Sequence, residues 1–401
     1  MKLSVRAWGM PLMLVMALTA CSSKDEEELV LPEITNKVAP TEVWSSSVGN
    51  GIEHFDSQLK PIFFDNKVFA ASRNGEIRAF ELESGQSLWT VDLRDGDDAP
   101  LFGGISHWWN ERSAKIGGAV GVGYDKILIG TENGEVIALD PASGAKVWAS
   151  QVNGEILAAP VAGDGFIIVT TGGGRIFALD PDTGEQRWMH ETENSLLTLR
   201  GISSVEVNSG GVIYGTGNGK VGVLISDKGV PAWEESIAVA KGSTDLARII
   251  DVDATPIVQN GTIYAIAYNG QLVALELRTG RTLWKREYAS FRDMVFENNI
   301  LYVVDSTGKL FAIDARNGLE LWSQLSLHKH AVTGPAVYQS YVVVGDSEGN
   351  LHWFDKSNGE YLARHEFDSS GFYTEAVSST EYLLLQSRDG DLTLLTVPVT
   401  E

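Results

Sequence analysis

From residue 75 onward, short runs of alternating apolar and polar residues recur between turn-forming residues, as in Glu76-Ile77-Arg78-Ala79-Phe80-Glu81. Alternation with period two predicts strands with one apolar and one polar side. Each run is bracketed by two glycines ten residues apart and is followed, four residues after the second, by a tryptophan. The copies run Gly75 to Gly85 with Trp89, Gly134 to Gly144 with Trp148, and Gly174 to Gly184 with Trp188. Further copies run Gly219 to Gly229 with Trp233, Gly270 to Gly280 with Trp284, and Gly308 to Gly318 with Trp322. A seventh, Gly349 to Gly359, has Ala363 where tryptophan is expected, and an eighth begins at Gly390 and stops before its last strand.

The first glycines are 59, 40, 45, 51, 38, 41 and 41 residues apart. A period of 40 to 45 is that of a four-stranded propeller blade. The expected fold is therefore an all-β, eight-bladed β-propeller over residues 41–401. Asn74-Gly75, Asn133-Gly134, Asn218-Gly219, Asn269-Gly270 and Asp389-Gly390 predict type I′ hairpins, with positive φ at both central residues. The second glycine closes a longer turn such as Asp140-Pro141-Ala142-Ser143-Gly144, where the aspartate can bond its own backbone. Blade four departs from the pattern at Ile225, where other copies carry Asp or Glu. Blade eight lacks its outermost strand, and Glu42-Val43-Trp44 is an orphan strand bearing the missing tryptophan. The N-terminal strand is thus expected to complete the last blade and close the ring.

The first twenty residues carry a different signal. Lys2 and Arg6 precede an apolar run from Ala7 to Leu18 that is too short to span a bilayer. It ends in Leu18-Thr19-Ala20-Cys21, and Cys21 is the only cysteine of the chain. This resembles the lipobox of bacterial lipoproteins, which implies a signal peptide over residues 1–20 and Cys21 as the N-palmitoyl, S-diacylglycerol cysteine. Ser22 after it implies sorting to the outer membrane, lipid-anchored on the periplasmic side. Residues 22–40, with Asp25-Glu26-Glu27-Glu28 and two prolines, are expected to be a flexible tether.

Composition narrows the chemistry. With 31 basic and 53 acidic residues the net charge is −22, which repels nucleic acid. His328 and His330 are close in sequence but lack partners at a metal spacing and are expected in a solvated loop. No nucleophile elbow, zinc helix or phosphate loop is present, so no catalytic residue, metal or cofactor is expected. The repeats also resemble those of pyrroloquinoline-quinone-dependent alcohol dehydrogenases, and that likeness implies the enzymatic alternative. Such enzymes use a quinone, calcium and, in many cases, adjacent cysteines. The mature chain has no second cysteine.

Extra length lies in three connections between blades, residues 92–116, 190–201 and 234–252. All must emerge on one face, because four antiparallel strands return the chain there. The first holds Trp108-Trp109, whose role the sequence leaves open. The other two contain Asn194-Ser-Leu-Leu-Thr-Leu-Arg-Gly201 and Arg248-Ile-Ile-Asp-Val-Asp-Ala-Thr-Pro256. With the lipobox and the eight-copy repeat, these segments resemble the BamB family, propeller lipoproteins of the outer-membrane β-barrel assembly (Bam) complex. The resemblance implies a non-enzymatic scaffold that binds the periplasmic POTRA region of BamA. The matching positions are Leu197, Leu199 and Arg200 in the first loop and Asp251 and Asp253 in the second. Exposed leucines beside an arginine and two acids would form an apolar centre with a charged rim. Unfolded outer-membrane protein clients are a further partner that the resemblance leaves open.

Overall fold

The computed structural model describes residues 30–55, 57–94, 113–193, 203–240, 244 and 248–398. These form eight four-stranded antiparallel sheets. The innermost three strands of blade one are β2 (Ile62–Phe64), β3 (Lys67–Ala71) and β4 (Glu76–Glu81), and β5 (Ser87–Asp92) lies outside them. Six more blades repeat this order: β6–β9 (within 116–151), β10–β13 (161–191), β14–β17 (206–236), β18–β21 (257–286), β22–β25 (295–324) and β26–β29 (332–366). Blade eight is built from β30 (Val377–Ser378), β31 (Leu383–Gln386), β32 (Asp391–Thr396) and, outermost, β1 (Thr41–Ser47), in the order β1-β32-β31-β30. The expected closure by the N-terminal strand is therefore present. Ile225 ends β16 (Lys220–Ile225) without disturbing blade four.

The core follows from the period-two pattern applied on both sides of a strand. Ile127 and Ile129 pack against Phe69 and Ile77 of blade one, whereas Leu128 between them packs against Ile167 and Val169 of blade three. Eight apolar clusters result, one for every pair of adjacent blades, including Trp44, Leu384 and Leu394 of blade eight with Val68 and Phe80 of blade one. Each middle strand thus loses its apolar side chains to two neighbours, and the ring has no pair of blades without a shared core.

The repeated tryptophan joins one blade to the next. Trp148 Nε1 donates to the Pro181 carbonyl at 2.9 Å, Trp188 to Ser226 at 2.8 Å, Trp284 to Ala315 at 2.9 Å, and Trp44 to Leu82 at 2.7 Å. Each acceptor lies in the last turn of the following blade. That turn's glycine lies on the indole: a Cβ on Gly318, at φ +72°, would come within 2.6 Å of the Trp284 ring. The glycine is required twice, by its backbone and by the ring beneath it. Opposite five of the tryptophans the third strand supplies an alanine, as in Ala138↔Trp148 and Ala274↔Trp284, whereas Trp233 faces Val223 and Trp44 faces Leu394. In blade seven the pair is inverted to Trp353↔Ala363, and Trp353 is fully buried. Volume is conserved across the strand pair, which is how a core tolerates such an exchange.

Two expectations are corrected. Asn74, Asn133, Asn218, Asn269 and Asp389 do not have positive φ, and Gly270 does not either. The turns after the second strands close with bonds such as Gly75 N to Ser72 O (3.1 Å), with the chain realigned by Ser72 N to Glu76 O (2.8 Å). Only the glycine enters the left-handed region, so these are longer loops than a two-residue hairpin. Two-residue turns with positive φ at both positions instead join first and second strands, at Asp65-Asn66, Tyr124-Asp125, Asp164-Gly165, Ser209-Gly210, Asn260-Gly261 and Asn298-Asn299.

Residues 31–38, expected within a flexible tether, pack on the ring instead. Leu31 packs beside the cluster shared by blades six and seven, and Val38 is buried between blades seven and eight. Lys37 N donates to Leu362 O at 2.8 Å, and Asn36 brackets Arg364 with bonds to its carbonyl (3.0 Å) and from its amide (2.9 Å). Apolar Leu31 and Val38 supply burial that a charge-and-proline reading of the segment overlooks.

Candidate partner-binding face

Connections between blades share a face with the turns that join second and third strands. Cys21, Leu197, Leu199 and Arg200 lie outside the described residues, as do Trp108 and Trp109. The flanks of the two loops are described, and they meet: Ser203 Oγ, at the end of the first loop, donates to the carbonyl of Ala254, at the end of the second, at 3.2 Å.

The segment leading to Ala254 lies in a groove between the turns of blades four and five. Val252 N donates to Thr216 O of blade four at 3.1 Å, and Tyr268 N of blade five donates to Asp251 O at 2.9 Å. Asn269 Nδ2 donates to Ile249 O at 2.9 Å. Arg248 is exposed, whereas Ile249, Asp251, Val252, Asp253 and Ala254 are all buried. The reading of Asp251 and Asp253 as a solvated charged rim is thereby corrected: both are buried, at 0% and 6% exposure. Alternation assigns one side to water only when a strand has a free side, and this segment is covered on both.

Asp253 borders a cavity of about 550 Å³ at the mouth of the ring, whose walls include Lys60, Tyr268, Phe291, Arg292 and Tyr373. Its Oδ2 makes no hydrogen bond among the described residues. Burial, with the nearby charge of Asp251, pushes its carboxyl up to about 7. On the cavity floor Lys60 Nζ reaches Asp293 Oδ2 at 3.1 Å and Glu375 Oε1 at 2.5 Å. Burial opposes the ammonium charge, but Glu375 and Asp293 outweigh it and hold Lys60 above its ordinary range. Asp293 also accepts Thr255 N at 2.7 Å, so the cluster joins blades one, five, six and eight at the axis. Arg292 bonds the carbonyls of Val332 (2.5 Å) and Asp305 (2.9 Å), and burial lowers it to about 10.

Lys60, Asp293 and Glu375 escaped the sequence reading. Each sits one or two residues before an innermost strand, and aligning the blades on those short strands would have drawn them to one axis. The histidines also differ from expectation. His328 is half-buried, with Nδ1 3.1 Å from Thr307 Oγ1, and His330 is half-buried with Nε2 shielded from water. His352 is fully buried, with Nε2 3.0 Å from Asp346 Oδ2 and Nδ1 2.6 Å from Tyr361 Oη. Among the described residues no group of three His, Cys, Asp or Glu could hold a metal ion.

The comparisons with known proteins agree with this architecture. A family model described as outer membrane protein assembly factor BamB matches residues 73–324 and 298–393. The outer membrane protein assembly factor BamB of Salmonella typhimurium is 40% identical over 390 residues, covering 96% of this chain and 97% of that protein. The crystal structure of BamB from Moraxella catarrhalis is similar with a TM-score of 0.77 at 25% identity, covering 89% of this chain and 100% of that one. The quinohemoprotein alcohol dehydrogenase of Comamonas testosteroni shares the fold alone, at a TM-score of 0.67 and 14% identity over 90% of this chain and 77% of that one.

Proposed function

We propose, from the premise that this chain belongs to the BamB family of outer membrane protein assembly factors, that it is a non-enzymatic scaffold of the Bam complex. Its role is to bind the periplasmic POTRA region of BamA and so to assist insertion of β-barrel proteins into the outer membrane. Cys21, lipidated after removal of residues 1–20, anchors it to that membrane from the periplasmic side.

The observation that carries this reading is the hydrogen bond between Ser203 and Ala254, which brings the ends of the two loops to one point. Leu197 and Leu199 provide the apolar centre of the contact and Arg200 its charge. Asp251 and Asp253 act from beneath, holding the second loop and lending it negative potential, since neither is exposed.

A titration of BamA's periplasmic region tests it. Leu197→Ala should cost more than about 1 kcal/mol of binding, and Arg200→Glu about 2 kcal/mol or more, with circular dichroism and melting unchanged. Wild-type affinity in a folded Leu197→Ala, Arg200→Glu double variant would exclude this face.

A further inference from the structure

Two arginines on the connection face lack an ion pair. Arg292 lies between blades five and six, where its amide donates to Ser290 Oγ at 3.0 Å and Ser290 Oγ in turn donates to Val304 O at 2.7 Å. Ser290 is fully buried, so the turn is fixed from beneath. The Arg292 guanidinium lies 4.4 Å from the centre of the Phe291 ring, and main-chain carbonyls occupy its Nε and Nη1. Arg388 lies in the turn between the second and third strands of blade eight, 5.3 Å from the centre of the Tyr373 ring, with Nε donating to Glu53 O at 2.8 Å. Neither forms an ion pair among the described residues, whereas Arg73, Arg175, Arg187 and Arg316 each do.

Both arginine and aromatic pairs line the cavity of about 550 Å³ at the mouth of the ring. A guanidinium laid on a ring keeps its N–H donors in its own plane, so its edge can still take a carboxylate. Arg292 Nη2 and both Nη atoms of Arg388 make no hydrogen bond among the described residues. Ser57 Oγ, in the same lining, is shielded from water and likewise unbonded among them. Donors from three separate segments thus border one space without acceptors. The acids around it do not use them: Asp293 and Glu375 bond Lys60, and Asp253, pushed up to about 7 by burial, is half protonated at neutral pH. Phe291 and Tyr373, exposed by 38% and 43%, add an apolar wall with half-buried Tyr268, whose ring centre is 6.0 Å from that of Phe291.

We propose that this cavity binds a carboxylate carried on an aromatic body, its oxygens held by Arg292, Arg388 and Ser57 and its ring laid among Tyr268, Phe291 and Tyr373. Such a ligand matches both parts of the lining. Charge-assisted hydrogen bonds hold the anion, and the ring gains from burial and from contact with the aromatic wall. Arginine suits a planar acceptor that takes two parallel bonds, which lysine does not offer. A neutral aromatic molecule would leave the donors unmet, and an aliphatic acid of the same charge would leave the aromatic wall uncovered. None of these six residues is among those proposed to dock BamA, so the site stands whether or not that reading holds.

The test uses residues 21–401 with Cys21→Ser, so that no acyl group contributes, titrated by calorimetry at neutral pH and low salt with 3-phenylpropionate. Its neutral amide, 3-phenylpropanamide, and propionate are the controls. The aromatic acid should bind in the millimolar range or tighter, and each control at least about tenfold more weakly. Arg292→Gln should weaken binding about tenfold, but Arg292 also bonds carbonyls of blades six and seven. Arg388→Gln and Ser57→Ala therefore accompany it, each expected to lose about threefold with unchanged melting. Arg316→Gln, in a turn on the opposite face, should change nothing. A blocked peptide of glycine, aspartate, phenylalanine and glycine separates two sources of the carboxylate. Its competition with 3-phenylpropionate would support a polypeptide side chain, and binding of the small acid alone would support a free molecule. Three results would each overturn the proposal: absence of binding at about 20 mM 3-phenylpropionate, equal binding of its amide, or undiminished binding by a folded Arg388→Gln, Ser57→Ala double variant.

Discussion

Replacing Asp253 by asparagine should stabilise the ring at alkaline pH, because the native state holds this carboxyl where ionisation is costly. Its Oδ2 is buried without a hydrogen bond among the described residues, and Asp251 lies nearby. A carboxyl displaced from 3.8 to about 7 penalises the ionised native state by about 4 kcal/mol, at roughly 1.4 kcal/mol for each tenfold change in proton affinity. Between those two values the native state binds more protons than the unfolded state, so stability falls as pH rises and the full penalty is present above pH 7. More than half of it should appear between pH 5 and pH 8. The substituted amide has nearly the same shape and no charge to desolvate, and every other titrating group is common to both proteins. Urea unfolding followed by tryptophan fluorescence at pH 5, 6, 7 and 8 gives the comparison. The wild type should lose roughly 2 to 3 kcal/mol relative to Asp253→Asn across that interval. Curves that stay parallel within about 0.5 kcal/mol would refute the assignment of a strained carboxylate at this site.

Two further outcomes follow from the anchor and the ring. Cys21→Ser should abolish labelling by palmitate and leave residues 1–20 uncleaved, or give a soluble product where another signal is supplied, and continued labelling would contradict the lipobox reading. Gly318→Ala should destabilise the ring by about 2 kcal/mol in urea, from positive φ and contact with the Trp284 ring together, and a loss below about 0.5 kcal/mol would show that the turn yields freely.

Much of the fold was legible because one physical requirement recurs eight times. The glycine and tryptophan spacings mark the blades, and the orphan strand at Trp44 marks the closure. The turn type was harder, since Asn-Gly suits both a two-residue hairpin and a longer loop that places only glycine at positive φ. Which forms depends on the register of the flanking strands, and that is set by the cores on both sides. The tryptophan missing at Ala363 was present in the sequence as Trp353, one strand earlier, but a pattern tied to the second glycine does not reach it. Site residues were legible in part. Asp251 and Asp253 were found as a pair, but their burial arises from turns of two different blades, and no local pattern contains that.

This division has a mechanical origin. Shared clusters tie each blade to the next and indole bonds reinforce seven of the eight interfaces, so the ring's stability is spread around it and depends little on any connection. A connection can therefore lengthen, as residues 190–201 and 234–252 do, without a cost to the blades. The same freedom does not extend to the segment at Asp251, which is bonded to both adjacent turns and carries a buried acid beside a second one. A desolvated carboxylate that lowers the ring's own stability has no use in closing the propeller, and an uncharged amide at the same position would serve the packing as well. In the proposed docking, the negative charge of Asp253 gains value when a cationic group of the partner approaches the neighbouring loop, where the low-dielectric wall strengthens the attraction. Cost in the free protein and benefit in the complex would then have the same source, and Asp253→Asn should raise stability while weakening binding to BamA's periplasmic region.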